Sequence, residues 1–94
     1  MIVLNVTYRC KPGAREAFLE AILREGIDEA SRAEAGNLKY EYYLPFGGGD
    51  ELLLVEKWRD EAALKAHAET PHYARLKELK PRFVIETIVE RFES

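Results

Sequence analysis

Residues 51–73 read ELLLVEKWRDEAALKAHAETPHY, and the periodicity of that stretch decides the fold. Leu52 to Trp58 is short, rich in apolar residues and bounded by Gly47-Gly48-Gly49-Asp50 before and Arg59-Asp60 after, which predicts a strand. Side chains alternate across a strand, so Leu52, Leu54, Glu56 and Trp58 share one face while Leu53, Val55 and Lys57 share the other. Both faces are largely apolar, as expected of a strand covered on both sides. Asp60 then suits the N-cap of a helix whose Ala63, Leu64, His67 and Ala68 line one side, because positions three and four apart are neighbours. That spacing turns His67 inward. Thr70 caps a second helix, with Pro71 at its first position and His72 in its first turn, running on through Leu76 and Leu79 to a stop at Lys80-Pro81.

Working outward, Ile2 to Arg9 alternates as Ile2, Leu4, Val6, Tyr8 against Val3, Asn5, Thr7, Arg9, a first strand that Lys11-Pro12-Gly13 ends. From Ala14 to about Ala33 the positions Phe18, Ile22, Gly26, Ala30 and Ala33 recur at helical spacing, which predicts one long helix with Gly26 on its packed stripe. Gly36 reads as the residue that ends it, and Asn37 to Leu44 as a second strand with Leu38, Tyr40 and Tyr42 on one face. The loop Pro45 to Asp50 opens a strand and not a helix, so its glycines predict a hairpin loop rather than a phosphate cradle, with Phe46 a candidate lid. Phe83 to Phe92 alternates again and makes a fourth strand, apolar on both faces.

The resulting order is β-α-β-β-α-β, an α+β, ferredoxin-like fold: a four-stranded antiparallel sheet with its helices on one face, in one domain spanning residues 1–94. A chain of 94 residues buries only about 60 to 65% of its unfolded surface, and the second sheet face would leave a large apolar patch in water. A homodimer packed sheet to sheet, a dimeric α+β barrel, is therefore expected. Lys+Arg 14 against Asp+Glu 17 gives a net charge of −3 with no basic cluster, which argues against a nucleic-acid partner. No stretch suits a signal peptide or a spanning helix, so no membrane role is expected. A single cysteine, Cys10, rules out an internal disulfide and fits a cytoplasmic location.

Lys11-Pro12-Gly13, then Glu34-Ala35-Gly36-Asn37-Leu38-Lys39-Tyr40, and above all Leu54 to His67 followed by Thr70-Pro71-His72-Tyr73, resemble the antibiotic biosynthesis monooxygenase (ABM) family of small dimeric proteins, over nearly the whole chain. Ala35 departs from the family's usual Pro, within a turn. The resemblance implies a cofactor-independent monooxygenase oxidising a small quinol or polycyclic aromatic substrate with O₂ directly. It leaves two alternatives: a non-oxidative isomerase of a small carbonyl compound, and a non-catalytic stress-response dimer that binds a small molecule. Members of the family also degrade haem, but no side chain beyond the two histidines offers itself as an axial ligand.

For such chemistry a protein binds the ring in an apolar pocket, takes a proton, holds the anion and excludes water. His67 is the candidate base, an imidazole ordinarily titrating near pH 6.5 and so suited to proton transfer. Glu56 is the candidate partner that orients His67 or the substrate, and Trp58 the third member of the catalytic set. Tyr40, Tyr42, His72 and Tyr73 are candidate substrate-binding residues, with Asn5 a candidate hydrogen-bonding partner for a substrate oxygen. Each also has a structural reading: His67 as a hydrogen-bonded core residue, Trp58 as core, His72 as rim, Cys10 as inert. The two histidines lie five residues apart in different predicted helices, which is not a metal-ligand spacing, so no metal and no cofactor are expected.

Overall fold

The two strands with the longest apolar alternation sit side by side at the centre of the sheet, where both faces need cover. The computed structural model describes residues 1–94 as β1 (Ile2–Cys10), α1 (Arg15–Arg24), α2 (Ile27–Arg32), β2 (Asn37–Tyr43), β3 (Glu51–Trp58), α3 (Glu61–Ala68), α4 (Pro71–Phe83) and β4 (Val84–Glu93). The strands form one antiparallel sheet in the order β2-β3-β1-β4, the ferredoxin-like arrangement expected. Register places Leu4 opposite Glu56, Val6 opposite Leu54, and Tyr8 between Leu52 and Thr87. These residues face the helices. Ile2, Val6, Tyr8, Tyr40, Leu52, Leu54 and Trp58 are buried there against Phe18, Ile22, Ile27, Leu76 and Leu79, with Phe18 edge-on to Tyr8 at 5.3 Å.

The long helix expected from Ala14 to Ala33 is two helices. Gly26 has φ +68°, a left-handed conformation that glycine adopts without a Cβ penalty, and it closes α1 and opens α2. The break rotates the apolar stripe, so Ile27 and Ser31 are buried in place of the predicted Ala30 and Ala33. No neighbour crowds Gly26, which removes the expectation of close packing there. Gly36 differs in the opposite sense. Its φ is not positive, so it is not a left-handed helix stop, but a Cβ on it would lie 2.2 Å from the Cβ of Ala63 in α3.

Both predicted caps form. Asp60 accepts from the Ala63 amide at 2.9 Å, and Thr70 Oγ1 accepts from the Tyr73 amide at 3.2 Å. α4 continues past the predicted stop, carrying Pro81 to Phe83, because its end is held from outside: Lys11 Nζ donates to the Pro81 carbonyl at 3.1 Å and the Lys11 amide to that of Phe83 at 2.8 Å. The Gly-rich loop is pinned at its base by Asp50, which accepts from the Gly13 amide at 3.0 Å. Its Phe46 is fully exposed and covers nothing, contrary to the lid expectation.

Opposite the helices, the sheet presents Val3, Asn5, Thr7, Tyr43, Leu53, Val55, Ile88 and Phe92, with Lys57, on a face that no element of the chain covers. No helix is long and apolar enough to cross a membrane.

Candidate functional site

Glu34, in the turn between α2 and β2, is the residue on which the two histidines converge. His67 Nδ1 lies 2.6 Å and His72 Nε2 2.8 Å from the same oxygen, Glu34 Oε2. A carboxylate only accepts, so the network assigns the proton of neutral His67 to Nδ1 and leaves Nε2 with a free lone pair. Nε2 makes no hydrogen bond within the chain, and His67 lines a cavity between the sheet and α3–α4. The joint between the two helices fixes the ring positions, since Thr70 Oγ1 donates to the His67 carbonyl at 2.8 Å while capping the helix that carries His72.

Gly36 makes the convergence possible. Without a side chain it lets the turn carrying Glu34 close onto Ala63, and Ala63 lies four residues before His67 on the same side of α3. The Arg59 amide, donating to the Gly36 carbonyl at 2.9 Å, holds the turn in place.

Glu56 has a different partner from the one expected. Trp58 Nε1 donates to Glu56 Oε1 at 2.9 Å, and the carboxylate that orients His67 is Glu34. Buried at 7% exposure, Glu56 has its pKa raised by desolvation, an effect that the Trp58 hydrogen bond only partly offsets. Trp58 is fully buried, its ring 4.5 Å from that of His67, so it forms a wall behind the imidazole rather than a lining of the cavity.

The cavity, about 360 Å³, is lined by Leu4, Val6, Tyr8, Leu76 and Val89, with Tyr40, Glu56, His67 and Tyr73 among its polar-tipped members. The Tyr73 ring stands edge-on to His67 at 5.1 Å and Tyr40 at 5.8 Å. Burial pushes the Tyr40 phenol up to about 12, and that of Tyr42, whose hydroxyl is 3.5 Å from Tyr40's, well above its ordinary value, so both are protonated donors at neutral pH. Tyr42 supports Tyr40 from outside the lining. His72 stands behind Glu34. Trp58, Tyr42 and His72 stand close to the site without lining the cavity, whereas Asn5 is on the other face of the sheet altogether: Leu4 and Val6 face the cavity, so Asn5 points from the opposite side.

Glu34 had no predicted role, although it stands in the sequence string that carries the family resemblance. No local spacing signals it, because it reaches His67 across 33 residues. Glu34, His67 and His72 are also the one constellation with metal-ligand chemistry, their three ligand atoms lying within 4.8 Å of one another. Sequence spacing between the histidines could not reveal it. In the arrangement described, all three atoms are satisfied by hydrogen bonds to each other.

The ABM family model, described as antibiotic biosynthesis monooxygenase, matches residues 1–79. A Bacillus subtilis protein named "Putative monooxygenase YcnE" is 41% identical over 73 residues, covering 78% of this chain and 75% of the relative. Rv0793 of Mycobacterium tuberculosis, likewise named "Putative monooxygenase", is 39% identical over 83 residues, covering 84% and 79%. Among solved structures, PA3566 from Pseudomonas aeruginosa superposes with a TM-score of 0.87 at 31% identity, covering 99% of this chain and 92% of that one. Sequence and fold agree over most of the chain's length, and on that ground the chain belongs to the antibiotic biosynthesis monooxygenase family.

Proposed function

We propose that the protein is a cofactor-independent monooxygenase that oxidises a small quinol or polycyclic phenol with O₂. The observation that carries this reading is His67, held through Nδ1 by Glu34, with Nε2 free of any hydrogen bond within the chain, on the wall of a largely hydrophobic cavity, in a chain of a monooxygenase family. Nε2 takes the hydroxyl proton of the bound ring, and the Glu34 carboxylate stabilises the imidazolium that results. The electron-rich anion then reduces O₂. One oxygen atom enters the ring carbon and the other leaves as water with two hydrogens given up by the substrate, from its two hydroxyls in a quinol or from a hydroxyl and the attacked C–H in a phenol, and the substrate supplies all four electrons. In this reading Tyr40 and Tyr73, both in the cavity lining, bound the ring and supply hydroxyl groups for its oxygen, and the apolar part of the lining limits water.

A second reading is favoured by the raised pKa of Glu56. A buried carboxyl whose pKa is raised by desolvation and an imidazole on one cavity also suit enolisation of a small carbonyl compound, with no O₂ consumed. An oxygen electrode separates the two. Quinols and naphthalenediols supplied to the metal-free protein should draw down O₂, and His67→Ala should slow that uptake by about 10²- to 10⁴-fold while the fold persists. His67→Gln keeps a hydrogen-bonding side chain without the titrating base and should be equally slow. O₂ uptake by both variants at the wild-type rate would remove His67 from the chemistry.

We also propose that the protein works as a homodimer joined through the uncovered sheet face, with a small aromatic molecule as its ligand. The apolar side chains of that face support the pairing.

A further inference from the structure

The cavity has a second chemical feature, a set of lysines on its helical wall, of which Lys65 and Lys77 are exposed. Lys65 of α3 and Lys77 and Lys80 of α4 belong to its lining, three cations in a chain whose net charge is −3. None of the three forms an ion pair within the chain, although ten pairs involving arginine or histidine do. Lys80 is half-buried, with Nζ 5.7 Å from the centre of the Tyr8 ring, and burial together with Lys77 lowers its pKa. Lys77 Nζ lies 5.9 Å from the ring of Tyr73. A partly buried cation without a counter-ion is an unfavourable arrangement for the empty protein, and an anion in the cavity relieves it.

The strands give the cavity a direction. Leu4 is paired with Glu56, whereas Tyr8 is paired with Thr87 and lies beneath Lys80. At about 3.3 Å per residue, Leu4 and Tyr8 are roughly 13 Å apart along β1. One end thus holds the carboxyl and imidazole groups and the other the ammonium of Lys80, with Lys77 one turn before it on α4 and over the Tyr73 ring. We infer that the molecule bound here carries an anionic substituent, a carboxylate or a phosphate, on an aromatic body, with Lys80 and Lys77 gripping the anion while the reacting hydroxyl faces His67. This names the substrate class for the site proposed above and rests on that cavity being the substrate site. A ligand of one or two rings suits a volume near the lower limit of small-molecule pockets.

The test is equilibrium binding, which needs no turnover. Calorimetric titration of the full-length protein with 1-naphthol, 1-naphthoate and 1-naphthyl phosphate at pH 7 should rank both anions above the neutral ring by at least about tenfold, the factor that one incompletely screened charge pair supplies. The preference should shrink on raising the salt concentration, collapse in Lys77→Met/Lys80→Met, and persist in Lys80→Arg. The naphthoate and phosphate arms show which anion is preferred. Circular dichroism confirms that the methionine variant is folded, and Lys80→Gln provides a second neutral variant. Equal affinity for neutral and anionic rings, binding of none of them, or a preference that survives loss of both lysines would overturn the inference. Failure of O₂ uptake with an anion preference intact would instead overturn the oxygenase reading and leave this one standing.

Discussion

His67 is useful only if its ring is held in one tautomer, and Glu34 is the group that holds it. Glu34→Gln presents an amide that can donate as well as accept, so the imidazole is free to carry its proton on Nε2, the wrong side for a base. Turnover should fall on the order of 10²-fold with substrate affinity little changed, because Glu34 does not line the cavity. Steady-state kinetics separating kcat from KM checks this. An equal rise in KM with no loss of kcat would mean that Glu34 acts on binding. Glu56 makes a second prediction at this scale. Burial raises its folded-state pKa above the ordinary carboxyl value of 4.5, so between the two values the native state holds more protons than the unfolded one. The contribution of this group is therefore fully present below 4.5 and is lost as pH rises through the folded-state value. Denaturation midpoints measured across acid to neutral pH should show this loss in the wild type and not in Glu56→Gln.

At the level of elements, two glycines shape the path of the chain for different reasons, and alanine replacements tell them apart. Gly26 has a left-handed φ and open space around it, so Gly26→Ala meets only the conformational penalty, about 1 kcal/mol. Gly36→Ala places a methyl against the Ala63 Cβ at a distance no packed pair tolerates, and relief requires the turn to move off α3. The cost should be about 1–3 kcal/mol, and because Glu34 rides on that turn, activity should fall as well. Urea melts with parallel activity assays test the pair: lost stability with normal turnover at Gly26, loss of both at Gly36. Full activity in a folded Gly36→Ala protein would disconnect the turn from the base.

For the whole molecule, only 21 of 94 residues are buried, a small core for a chain with apolar side chains on both faces of its sheet. Ile88 and Phe92 on β4 are 42% and 51% exposed, and Tyr43 on β2 is 38% exposed, all on the uncovered face. Sedimentation at micromolar concentration should give the mass of a dimer. Ile88→Asp/Phe92→Asp should shift it toward monomer and lower the melting temperature, since each charge would otherwise be buried unpaired in the joint. A wild-type monomer at those concentrations would show that this face tolerates water.

The sequence by itself determined the order of elements, because strand and helix periodicities are local, and it placed Asp60 and Thr70 as caps for the same reason. It also put Glu56 and Trp58 on one face of β3, Tyr40 and Tyr42 on one face of β2 and His67 on the inward side of α3, through alternation along the strands and spacing along the helix. Only the tertiary structure decided the break at Gly26, since a helical stripe reads the same in sequence whether or not one residue turns left-handed. The carboxylate that serves His67 was likewise beyond local reading. Glu56 is near in sequence yet is held by Trp58, whereas Glu34 arrives from the other half of the chain because a glycine lets two backbones approach. Asn5 lost its place at the site by the same global rule: strand alternation is set by which face the helices cover, and the chain alone does not show how β1 is turned until its neighbours are in register.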